Sequence, residues 1–102
     1  MKNASLKEVT IKLPKGLANT ISSKEIVCMV RDKAMTMAEY YRSRCKEFEQ
    51  KYGAGYDAFK KKVESAKTEN TSEWDDLLVW EGFVLAYAEW NNKSKELRKC
   101  GA

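Results

Sequence analysis

The 102-residue sequence contains no histidine. It therefore lacks the side chain most often used as a general base and as a metal ligand, which excludes histidine-dependent triads and zinc-hydrolase helices. Proline occurs once and glycine five times, too few for collagen-like or low-complexity chains. The three cysteines, Cys28, Cys45 and Cys100, are odd in number, and their spacings of 17 and 55 match no zinc, redox or haem pattern. They read as reduced thiols, which places the chain in the cytoplasm. Cys28 and Cys45 act as small hydrophobes in helical pattern, and Cys100 is expected to be exposed beside a terminal glycine. No apolar run approaches the ~18 residues of a membrane span, and the N-terminus, alternating charged with apolar residues, is not expected to be a targeting segment. With no histidine to activate a thiol, the chain is expected not to be an enzyme and to hold no cofactor or metal. A binding role is the expectation.

What is present is 43% apolar and 33% charged, which suits one soluble, mainly helical domain. The net charge of +4 is unevenly laid out. Residues 1–24 carry Lys2, Lys7, Lys12, Lys15 and Lys24 against Glu8 alone, whereas residues 73–89 carry Glu73, Asp75, Asp76, Glu81 and Glu89 with no cation. That polarity fits either two different partners or a solvated surface whose charges cluster.

Residues 7–14, Lys-Glu-Val-Thr-Ile-Lys-Leu-Pro, alternate strictly, with Val9, Ile11 and Leu13 on one face and Glu8, Thr10 and Lys12 on the other. This predicts a half-buried β-strand stopped by Pro14. No second strand pattern follows, so its backbone groups are expected to pair with another molecule.

A connector containing Leu17 and Ala18 leads to a strong helix start. Ser22 and Glu25 have capping-box spacing, and Ile21 and Ile26 can close a hydrophobic staple. Apolar residues then recur at Ile26, Val30, Ala34, Met37, Tyr41, Cys45, Phe48 and Tyr52, one stripe on a helix of about 30 residues and about 45 Å. Gly53 supplies the stop. A break near Thr36, giving two shorter helices, is the alternative. Ala54 and Gly55 form a hinge, and residues 56–64 predict a short amphipathic helix with Tyr56, Phe59 and Val63 inward and Lys60 to Lys62 outward. Thr68 to Thr71 is the next loop.

Ser72 is the expected cap of a last helix running from about Glu73 to Arg98, acidic at its start and basic at its end as the helix dipole favours. Between Trp74 and Trp90 apolar residues occupy nearly every angular position. Such a helix is buried on every side, or buried on one side and used for binding on the other. The second fits so short a chain better. All three tryptophans, Trp74, Trp80 and Trp90, lie here, so the partner-binding set is expected to be Trp74, Leu77, Trp80, Glu81, Phe83, Val84, Tyr87 and Trp90. Ordinary core is the competing reading for each tryptophan. Asp75, Asp76 and Glu81 could hold a hard cation only with difficulty, because adjacent Asp75 and Asp76 point about 100° apart on a helix.

The order of these pieces resembles the small antitoxins of prokaryotic type II toxin–antitoxin modules, particularly an archaeal-looking group. The resemblance rests on Val9-Thr10-Ile11-Lys12-Leu13-Pro14 before a capped helix, and on Phe48-Glu49-Gln50-Lys51-Tyr52-Gly53 with Phe59 downstream. Glu73-Trp74-Asp75-Asp76-Leu77, Val79-Trp80-Glu81 and Ala86-Tyr87-Ala88-Glu89-Trp90 complete it, so that it spans Lys7 to Leu97. It implies a basic N-terminal part for dimerisation or DNA (residues 1–24) and a helical part (25–102) whose acidic, aromatic end holds a cognate protein toxin inactive. The strand also looks like that of ribbon-helix-helix repressors, which implies that Thr10 and Lys12, with Glu8, face the groove of operator DNA; Thr10, Lys12 and Lys15 are the expected DNA contacts. Lys15 to Thr20 is too short for the first helix of that motif. Two further function classes remain open: a dimeric DNA-binding regulator, and a helical adaptor that self-associates through its long helix.

Overall fold

A computed structural model describes the backbone of residues 6–100 and the side chains of residues 6–98. Four helices follow in order: α1 (Lys15–Ala18), α2 (Ser23–Tyr52), α3 (Tyr56–Ser65) and α4 (Thr71–Cys100). The chain is mainly α, as expected.

The strand is not formed: no β-strand occurs among the described residues. Residues 6–14 run without helix or ladder, and every one of them is exposed, Val9 at 79%. Alternation tells a strand which way to face, but a strand exists only when a neighbour accepts its hydrogen bonds, and no described segment of this chain does so. After Pro14 the connector closes into the single turn α1, where Ala18 N–H donates to the Pro14 carbonyl at 2.9 Å.

α2 forms as its sequence dictates. Glu25 N–H donates to Ser22 Oγ at 3.1 Å, and Ser22 N–H donates to Glu25 Oε1 at 3.3 Å, so the capping box is complete. The helix is continuous over 30 residues with no break at Thr36. It stops at Gly53, whose φ of 63° and ψ of 28° are in the left-handed region that glycine enters without steric cost.

α4 begins two residues earlier than expected, at Thr71. Its cap is Asn70, whose Oδ1 accepts from Glu73 N–H at 3.1 Å, which leaves Ser72 inside the first turn.

α2 and α4 pack antiparallel. Lys51 Nζ meets Asp76 Oδ2 at 2.7 Å at one end, and Arg31 Nη2 donates to the Leu97 carbonyl at 3.2 Å at the other. α3 lies against α4 at the first of these ends, where Cys45, Phe59, Val63, Leu77 and Trp80 form the core. Trp80 is wholly buried at its centre. Phe48 stacks on it at 5.4 Å, Phe59 lies at 5.5 Å and Tyr56 meets it edge-on at 5.6 Å between ring centroids. The other half of the pair is closed by small residues, Ala34, Ala38 and Ser94. The molecule is long, 63 × 33 × 20 Å, with a radius of gyration of 19.4 Å against about 13 Å for a compact chain of this length.

Candidate partner-binding site

The structure divides the expected partner-binding set by where each residue falls around α4. Leu77 and Trp80 are core and offer no surface to a partner. Trp74, Phe83 and Val84 are half-buried against that core. Glu81 accepts a hydrogen bond from the Tyr56 hydroxyl at 3.0 Å, so its carboxylate ties α3 to α4. Tyr87 lines a groove between α2 and α4, and Trp90 lies under Lys93, whose Nζ is 4.4 Å from the ring centroid.

The residues that do point outward were hidden within the apolar run. Residues 75, 78, 82, 85 and 89 follow one another at gaps of three and four, the spacing that keeps one line along a helix turning about 100° per residue. They are Asp75, Leu78, Gly82, Leu85 and Glu89, and the line lies about 180° around the helix from Trp80. Leu78 is 62% and Leu85 64% exposed. Gly82, between them, is exposed, and a Cβ built on it meets nothing within 4 Å. A glycine inside an exposed helix costs about 1 kcal/mol relative to alanine. The fold of the single chain uses none of the space that Gly82 leaves open. The heptad spacing was readable in the sequence; which of the several apolar lines faced out was decided by where α2 and α3 pack on α4.

The carboxylates at the start of α4 divide in the same way. Asp76 turns inward to accept from Lys51 and from the Tyr52 hydroxyl, hydrogen bonds that hold its carboxyl below the ordinary range. Burial, and then the Glu81 hydrogen bond, push the Tyr56 phenol up to about 12. Burial also raises the Cys45 thiol, which makes it a poor nucleophile. Cys28, expected as a small hydrophobe, is exposed. Asp75 stays outward, and Glu89 is outward with Lys93 at 2.7 Å. No three His, Cys, Asp or Glu side chains form a metal-holding group among the described residues.

Thr10, Lys12 and Lys15, the expected DNA contacts, are all exposed. Thr10 lines an apolar groove of about 830 Å³ with Leu6, Val9, Ile11, Ile26 and Leu97. They do not sit on a ribbon, because the segment has no paired strand. A second groove, about 410 Å³, runs between α2 and α4 past Arg42, Lys46, Tyr87 and Arg98. Arg42 in it is held by Glu49 at 2.8 Å. No described helix is long and apolar enough to cross a membrane. No family model, curated protein or solved structure matches this chain.

Proposed function

We propose that this chain is an antitoxin-like binding protein that neutralises a cognate protein toxin through the outward line of α4. One observation carries the reading: Leu78, Gly82 and Leu85 face solvent in register, bracketed by the carboxylates of Asp75 and Glu89. An apolar line of this spacing accepts an amphipathic helix, and the gap at Gly82 lets the two backbones approach closely. The exposed carboxylate of Asp75 favours a partner whose facing surface is basic, such as the nucleic-acid-binding face of a small nuclease, while Glu89 at the other end is already paired with Lys93. The resemblance to type II antitoxins supplies the functional class, and with Trp80 and Leu77 buried this reading puts the contact on the exposed Leu78 and Leu85.

Co-expression with the product of the adjacent reading frame tests the proposal. The expected result is a co-purifying complex and relief of the growth inhibition caused by that product, both lost in Leu85→Glu. A neighbour that forms no complex and whose effect persists overturns it.

A further inference from the structure

Seven positions follow one another at gaps of three and four along the inward side of α4: 77, 80, 84, 87, 91, 94 and 98. The first three, Leu77, Trp80 and Val84, are apolar and belong to the core or pack against it. The last four, Tyr87, Asn91, Ser94 and Arg98, each carry a hydrogen-bond donor, and all four line the groove of about 410 Å³ between α2 and α4. A seam between helices is ordinarily apolar, so this half of the seam holds donors where the other half holds core. Ser94 is buried in the groove beside Ala38, yet its hydroxyl makes no hydrogen bond among the described residues. The α2 wall adds Arg42 and Lys46. Neither Lys46 nor Arg98 has an ion-pair partner among the described residues, and Arg42 gives only Nη1 to Glu49. Donors therefore outnumber the acceptors that the fold supplies to them.

We propose that this groove binds an elongated small molecule that carries a chain of phosphate groups. The donors set the class. Hydroxyls, an amide and three cations line the floor and both walls, and a phosphate offers oxygens in several directions at once, whereas a carboxylate presents two in one plane. Charge agrees, because Arg42, Lys46 and Arg98 stand in the lining against Glu39 alone. Cations on two facing walls repel one another until an anion lies between them. Length favours a chain over a single phosphate. Met35 and Lys46, at the two ends of the α2 wall, are 11 residues apart, about 16 Å along the helix. The volume falls within the range of small-molecule sites, about 300 to 1,000 Å³. Arg98 stands 18 residues beyond Trp80, about five full turns, so the groove is on the side of α4 away from Leu78 and Leu85. The groove and the proposed toxin-binding line are thus separate surfaces, and either reading can fail alone.

Titration calorimetry of the full chain in low salt tests the site, with inorganic tripolyphosphate in one arm and a nucleoside triphosphate in the other. The expected result is saturable one-to-one binding, weakened about tenfold by Lys46→Gln and by Arg98→Gln and tightened by Glu39→Gln. Lys33→Gln removes the same charge about two and a half turns before Arg42, on the opposite side of α2, and is expected to leave the affinity unchanged. All four substitutions fall on exposed residues, so helical circular dichroism should be retained in each. Tighter binding of the nucleotide makes the nucleoside part of the ligand, and equal or weaker binding makes the phosphate chain the whole of it; both uphold the site. The absence of saturable binding in both arms overturns the proposal. So does an equal loss in Lys33→Gln and Lys46→Gln, or a chain that binds duplex DNA and neither phosphate compound.

Discussion

The two ends of the α2–α4 pair are made from the same two helices and are held in different ways. At the closed end, from Tyr41 to Tyr52 and from Trp74 to Tyr87, α3 adds a third layer, and large aromatics fill the space between the three elements. Lys51 and Tyr52 on Asp76, and Tyr56 on Glu81, fix the edges. At the open end, from Ser23 to Ala38 and from Asn91 to Arg98, there is no third layer. The helices meet through Ala34, Ala38 and Ser94, and Val30 and Met29 stay exposed. A two-helix pair has one seam in which to bury side chains, and a third element turns that seam into a core. α3, only 10 residues long, therefore gives one half of the α2–α4 pair a three-sided core and leaves the other half with a single seam.

Removing the centre of the closed end has the largest expected effect. Trp80→Ala leaves a cavity among Phe48, Phe59 and Tyr56 and is expected to cost about 3 to 5 kcal/mol in urea denaturation. Trp90→Ala, in a half-buried position beyond α3, is expected to cost about 1 kcal/mol. Equal losses at the two tryptophans would mean that the ends are equally built. The unbonded indole Nε1–H of Trp80 does not offset this, because the ring area buried outweighs one missing hydrogen bond.

The clamps of the closed end also make stability depend on pH, by a smaller amount. The carboxyl of Asp76 is held below its unfolded value of about 3.9, so its contribution is present above that pH and fades as pH falls through the folded value. Wild type should therefore show a steeper acid limb of stability than Asp76→Asn, the two converging at the lowest pH. Tyr56 works at the opposite limit. Its phenol titrates at about 12 in the folded chain against about 10 unfolded, so its contribution is complete below about 10 and is lost as pH rises through 12. Tyr56→Phe should flatten that alkaline limb. Both clamps belong to the closed end, so hydrogen exchange in Ser23 to Ala34 should be unchanged by either substitution. A change there would show that the ends open together.

Much of this architecture was legible because its signals are local. The Ser22–Glu25 box, the stripe from Ile26 to Tyr52, the stop at Gly53 and the inward trio Tyr56, Phe59 and Val63 each follow from helix geometry within a few residues. What was not legible depends on partners elsewhere in the chain. The alternation from Lys7 to Leu13 carries no information about whether a neighbouring strand exists. Asn70 and Ser72 both suit a cap, and the choice fell to Asn70 because its carbonyl reaches Glu73 N–H. In α4, several apolar lines compete for the core. α2 and α3 together settle the competition by covering Leu77 and Trp80, a tertiary event that the sequence of α4 alone does not encode. The surface of α4 followed the same rule: that the helix carries more apolar side chains than one seam can bury was readable, and which of them stay outward, Leu78 and Leu85, was not.

The smallest expected effect bears on what the closed end leaves uncovered. Gly82 sits in the middle of α4, on the side away from Trp80, and has open space where a side chain would be. If only the single chain mattered, alanine would be the better residue there. Gly82→Ala should raise stability by about 0.5 to 1 kcal/mol through helix propensity and the lower entropy of the unfolded chain. The same methyl group would stand between Leu78 and Leu85, where a docking helix needs close approach, and should weaken the toxin complex in a binding titration. Opposite signs in the two measurements would show that this position is set by a partner and not by the fold. A gain in stability with undiminished binding would place the toxin elsewhere and leave the closed end as scaffold alone.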